Sequence, residues 1–210
     1  MGKIEQNKKQ KRTSLLFSAY ELFTTIGFDK TTIRDIASRA GVAKGTFYLY
    51  FDDKYSLRDQ LIRHIASQLL ISACASMEEY AAQQAEPITV PDKFVYIIDY
   101  LIDRADENRP ILKLINKDLS WCLFTDDIYA AAPGRIDEPG SIDFVSYILN
   151  MLEADHVEIR DLRLLMFTLI DMINSTVYDA VLFGEPVGIE EYKPYLNRCI
   201  RLLVNDAIEE

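Results

Sequence analysis

The stretch Thr31–Lys54, TTIRDIASRAGVAKGTFYLYFDDK, limits what this chain can fold into more than any other part of it. It reads as two short helices joined by a tight Ala40-Gly41-Val42 turn. Thr32 can N-cap the first, with Asp35 near its positive end. Ile33, Ile36, Ala37 and Ala40 form that helix's inner side. Gly41 tolerates the positive φ that a sharp reversal needs. The second helix, from Lys44, carries small, hydroxyl and aromatic residues in place of a smooth apolar face. Phe47 and Phe51 are read as core, holding this helix against its neighbours.

Periodicity is helical nearly everywhere else, and no sheet is indicated. A first helix is expected over about Lys8–Ile26, with Leu15, Ala19, Leu22 and Ile26 on one face and Gly27 as its stop. Asp52 and Asp53 offer an N-cap for a long helix from Lys54 into Ala81–Gln84, broken by Pro87 and Pro91. Helices follow over about Asp92–Glu107 and from Pro110 to about Leu123. Pro133-Gly134 and Pro139-Gly140 bracket a loop. Two strongly apolar helices, about Ile142–Leu152 and Glu158–Phe183, precede a last one over Ile189–Ala207. The fold class is all-α: a three-helix N-terminal domain, residues 1–53, joined to a helical domain, residues 54–210.

The net charge of −10 opposes nucleic-acid binding if taken whole. Its distribution reverses that impression. Residues 1–58 hold 11 Lys/Arg against 6 Asp/Glu, a net of +5, while residues 59–210 are acidic, at −15. A basic end on an acidic body implies that only the N-terminal part meets phosphate. No run of 18 apolar residues and no signal-peptide core appear, so a cytoplasmic chain without a membrane span is expected. Cys74, Cys122 and Cys199 are far apart, and the sequence has no CxxC or Cys/His cluster. They are read as buried reduced thiols. Nor does it contain a GxSxG, HExxH, P-loop or dinucleotide fingerprint. Neither His64 nor His156 has triad or metal-ligand company. An enzyme, a metal site and a bound cofactor are therefore not expected.

The two short helices suit a helix-turn-helix whose second helix enters a DNA major groove. Gly45 removes a side chain where that helix approaches the DNA backbone. Thr46 offers a hydroxyl for phosphate and a methyl for thymine. The Tyr48 hydroxyl can reach phosphate, and Lys44 can reach phosphate or a guanine edge. Thr31 and Thr32 can bond phosphate at a helix N-terminus, as can Lys54 at the next. Arg34 is a candidate base or phosphate contact. Tyr50 can bond phosphate or pack half-buried. Lys8, Lys9, Lys11 and Arg12 can add non-specific attraction.

Together these residues resemble the TetR family of bacterial transcriptional regulators. The match runs over about residues 8–58. It comprises the first helix ending at Gly27-Phe28, then Thr31-Thr32-Ile33-Arg34-Asp35-Ile36-Ala37, Ala40-Gly41-Val42, Lys44-Gly45-Thr46-Phe47-Tyr48-Leu49-Tyr50-Phe51, Lys54 and Leu57. Tyr50 departs from the pattern, where the family often has His.

The resemblance implies a homodimer whose recognition helices enter successive grooves of a palindromic operator. It implies a ligand-responsive regulator, most simply a repressor released by an unknown small molecule. A regulator controlled by a protein partner, or by no ligand, is the alternative. Dimerisation is implied through the Ile142–Leu152 and Glu158–Phe183 helices, whose apolar arcs are wider than one buried face needs. An effector pocket in the body is implied as well. Its candidate residues are His64, Phe94, Tyr100, Trp121, Phe124, Phe167, Asp171, Asn174 and Tyr178. Asp171 and Asn174 are polar groups in an apolar helix, and must pair, line a cavity or meet the partner subunit. The acidic body favours a cationic or neutral ligand.

Overall fold

The computed structural model describes residues 3–115 and 144–209, and every regular element among them is helical. These are α1 (Lys3–Thr25), α2 (Ile33–Arg39), α3 (Lys44–Phe47), α4 (Lys54–Ala82), α5 (Val90–Glu107), α6 (Arg109–Ile115), α7 (Phe144–Ala154), α8 (Leu162–Leu182) and α9 (Ile189–Ala207). Trp121, Cys122, Phe124, Ile142 and the loop marked by Pro133-Gly134 and Pro139-Gly140 lie outside the described residues. The chain divides into two compact units, Met1–Arg63 and His64–Glu210, with the division inside α4.

Several boundaries differ from the periodicity, each for a local reason. α1 begins five residues before Lys8, because its polar first turns carry good helix formers but no apolar stripe to mark them. On its buried side Leu15 and Ala19 are joined by Leu16, Ser18 and Phe23, whereas Ile26 is exposed. Pro91 does not break a helix. It lies in the first turn of α5, where its missing N–H costs nothing, and Thr89 caps that helix. α8 starts four residues after Glu158. The segment before it instead pairs with the chain's end: Arg160 N donates to Ala207 O at 2.8 Å and Glu209 N to Glu158 O at 2.9 Å.

In the first unit, Leu15, Ala19, Ile36, Phe47 and Leu57 are fully buried, so α1–α4 close on one small core. Ser14 Oγ donates to Ala40 O, and Arg39 Nε to Glu21 Oε2 at 2.7 Å, joining α1 to α2 and its end. In the second unit, α5 and α9 bury Phe94, Ile98 and Ile102 with Leu196, Ile200 and Val204. Beside this seam runs a polar ladder. Arg201 Nε donates to Asp92 at 2.7 Å, Asn197 Nδ2 to Asp99 at 2.8 Å, and Lys193 pairs with Asp103. The opposite order of the rungs makes the two helices antiparallel. α8 adds Leu165, Met166, Leu169, Val177, Ala180 and Val181 to the core, and α7 adds Ile148, Met151 and Leu152. Among the described residues, α8 is long and apolar enough, by length and composition, to cross a membrane, and one third of its most apolar stretch is buried within the chain.

Candidate nucleic-acid interface

The turn between α2 and α3 is built by backbone hydrogen bonds. Gly41 N donates to Ser38 O at 3.2 Å and Val42 N to Ala37 O at 2.9 Å. With Gly41 at φ +70°, these bonds form a Schellman motif that satisfies the last carbonyls of α2. α2 begins with a capping box. Asp35 N donates to Thr32 Oγ1 at 3.2 Å, and Thr32 N donates to Asp35 Oδ2 at 3.0 Å. The Thr32 hydroxyl also donates to that carboxylate, at 2.6 Å. These bonds, the hydroxyl's first, hold the Asp35 carboxyl below its ordinary range. The anion at this helix start is thus the chain's own.

α3 is anchored from one side. Phe47 is fully buried and Phe51 nearly so, their rings 5.6 Å apart. Tyr48 packs edge-on against Phe47 at 5.5 Å while half its surface stays exposed. Lys44, Gly45 and Tyr48 face solvent, and Thr46 and Tyr50 are half-buried. A side chain at Gly45 would meet no atom within 4 Å, so the glycine leaves the outer surface open. Arg34 and Thr32 are exposed on α2 and its cap.

Two expected phosphate contacts sit elsewhere. Thr31 is buried, and its Oγ1 donates to Gly27 O at 2.8 Å. The Lys54 ammonium donates to Phe28 O at 2.8 Å and Thr31 O at 3.0 Å, and lies 4.2 Å from the centroid of the Phe28 ring. Both residues knit the 27–31 corner to the start of α4. That start is capped by Asp53, whose Oδ1 accepts from Ser56 N. Arg12, read as adding non-specific attraction to DNA, donates to Gln60 at 2.7 Å. Lys8, Lys9 and Lys11 are exposed. Leu49 is the outer-surface residue that the motif left without a role. At 79% exposure it is out of phase with Phe47 and Phe51, which is the signal that sets it apart.

The described effector candidates are spread over very different environments. Phe94 is core. Tyr100 is half-buried with the Arg104 guanidinium 5.4 Å from its ring centroid. His64 is exposed on α4. Phe167 and Asp171 are exposed on α8, while Asn174 and Tyr178 are half-buried there. Spacings of 4, 3 and 4 put these four on one stripe of α8. Among the described residues no group of three His, Cys, Asp or Glu side chains is placed to hold a metal ion.

Residues 15–61 match the model of the bacterial regulatory proteins of the tetR family. The repressor KstR2 of Rhodococcus jostii is 42% identical over 62 residues, which is 30% of this chain and 30% of KstR2. The chain therefore spans under a third of that relative's length. Two solved structures share the fold over most of both chains. Thermus thermophilus FadR, a TetR-family repressor in complex with lauroyl-CoA, is 24% identical with a TM-score of 0.59, over 90% of this chain and 92% of that one. Bacillus subtilis FadR, in complex with stearoyl-CoA, is 19% identical with a TM-score of 0.53, over 91% and 97%. Residues 15–61 are thus a domain of the tetR-family type, and the chain shares the all-α fold of solved TetR-family proteins.

Proposed function

We propose that the chain is a cytoplasmic, homodimeric repressor that holds a palindromic operator and releases it when a small molecule binds the helical body. The observation that carries this reading is the outer surface of α3. Lys44, Gly45 and Tyr48 stand exposed together, on a helix held from behind by Phe47 and Phe51. A four-residue helix presents its outer side chains reproducibly only when its inner ones are locked, and these are. Lys44 and Tyr48 reach phosphate or base edges, joined by half-buried Thr46 and Tyr50 and by Arg34, exposed on α2. Thr32 contributes the cap that sets the angle of α2. The basic charge of residues 1–58 supplies attraction, and the acidic remainder keeps the body off the duplex.

Dimerisation is assigned to α7 and α8. Leu149, Leu164 and Phe167 are exposed there at 50%, 62% and 46%, and Asp171 continues the stripe. An apolar stripe left open by the chain's own core fits burial against a second copy. Effector and DNA compete by linkage, each weakening the other's binding, through α4, which begins in one unit and continues into the other. Long-chain acyl-CoA thioesters, the ligands named for the two FadR structures, are the first effectors to test. Lipophilic cations are the second, since the acidic body favours them.

Fluorescence anisotropy on the palindrome nearest the protein's own promoter tests the reading. Lys44→Ala should weaken binding by ~1–3 kcal/mol if it meets a base, and Tyr48→Phe should weaken it too. Full affinity in a Thr46→Ala, Tyr48→Ala double variant refutes the placement of α3. Acyl-CoA or cation should release the DNA. If neither releases it or shifts the melting point, control lies with a protein partner or with no ligand.

A further inference from the structure

We propose that Leu49 reads the C5-methyl group of a thymine in the major groove, and so helps to set which operator the protein prefers. This rests on the DNA-reading role of α3. Leu49 is 79% exposed, more than any other large apolar side chain described. It follows Tyr48 in the turn that ends α3, where its N–H donates to Thr46 O at 3.2 Å. Phe47 and Phe51, two residues to either side, are buried, so Leu49 points away from the core. Four residues back stands Gly45, with open space where a side chain would be. Its surroundings are otherwise polar: Lys44 and Gly45 are exposed and Tyr48 carries a hydroxyl.

An isobutyl group cannot bond a phosphate. The apolar group that base edges present in the major groove is the thymine methyl, and contact with it removes both from water. A leucine among phosphate-binding neighbours therefore adds selection and little general attraction.

The test uses the full chain and its operator, with each thymine replaced in turn by deoxyuridine, which lacks only the methyl. In the wild-type protein one symmetry-related thymine position should be sensitive, losing about fourfold in affinity per half-site, the scale of one buried methyl. Leu49→Ala should lose a similar factor on the natural operator and become indifferent to uracil at that position alone. Leu49→Met should retain the sensitivity. An unchanged melting curve for Leu49→Ala, expected of an exposed residue, excludes misfolding as the cause. If Leu49→Ala keeps every wild-type uracil sensitivity, whether or not it binds more weakly, Leu49 reads no methyl. Failure of the wild-type protein to bind any duplex overturns the DNA-reading role itself, and Leu49 with it. Binding that depends on Lys44 and Tyr48 but not on the methyl overturns only the assignment of Leu49.

Discussion

Cys74 shows how burial alone changes a side chain's chemistry. Its thiol is enclosed in the second unit's core, and that desolvation raises its pKa from 9.0 to about 11. A thiolate is the reactive form, so this cysteine should be inert near neutrality. In the native protein Cys74 should label with maleimide far more slowly than partly exposed Cys199, and mass spectrometry of digests reads the difference. The same shift links stability to pH. Between pH 9 and 11 the unfolded chain loses this proton while the folded chain retains it, so stability falls across that window. The loss from this group is roughly 2–3 kcal/mol by pH 11. Urea melts of Cys74→Ala against wild type at pH 8 and pH 10.5 check it: the gap between the two should shift toward the variant at the higher pH. Thr31 and Lys54 make a related point. Their types suit phosphate, but Thr31 turns inward and Lys54 holds two backbone carbonyls.

The helix-turn-helix depends on how its elements end as much as on how they run. α2 is only seven residues, too short to persist alone. It stands because Thr32 and Asp35 cap its start and Gly41 closes its end. Gly41→Ala places a Cβ at φ +70°, where an L-residue is strained although no neighbour would clash. The substitution should cost about 1–2 kcal/mol in thermal melts. It should weaken operator binding more than that loss explains, because the turn sets the angle of α3. These signals were legible beforehand, since caps, glycine stops and i,i+4 apolar pairs act over a few residues. Pro91 was not, because a proline that ends one helix and a proline that starts the next look alike until Thr89 is seen to cap.

At the level of the whole molecule, the two ends of the chain differ in charge and in what they leave exposed. The body buries Ile148, Leu152, Leu165 and Leu169 within itself, yet leaves Leu149, Leu164 and Phe167 open. If a second copy covers that stripe, Leu164→Glu with Phe167→Glu should give monomers by light scattering at micromolar concentration. The fold should survive, because neither side chain is core. Operator affinity should drop by orders of magnitude, since each half-site then binds alone. A dimer in that variant moves the interface elsewhere.

The sequence by itself determined the helical class, the turn at Gly41, the cap at Thr32 and the basic end that carries them. Each depends on neighbours within one or two helical turns, or on a sum over residues. Only the tertiary structure decided that Thr31 and Lys54 serve the 27–31 corner, that Phe94 is core while Phe167 is not, and that Leu49 is the most exposed large apolar residue of its motif. Those outcomes depend on which distant surfaces meet. Burial is a property of the packed chain, and residue type restricts it without settling it.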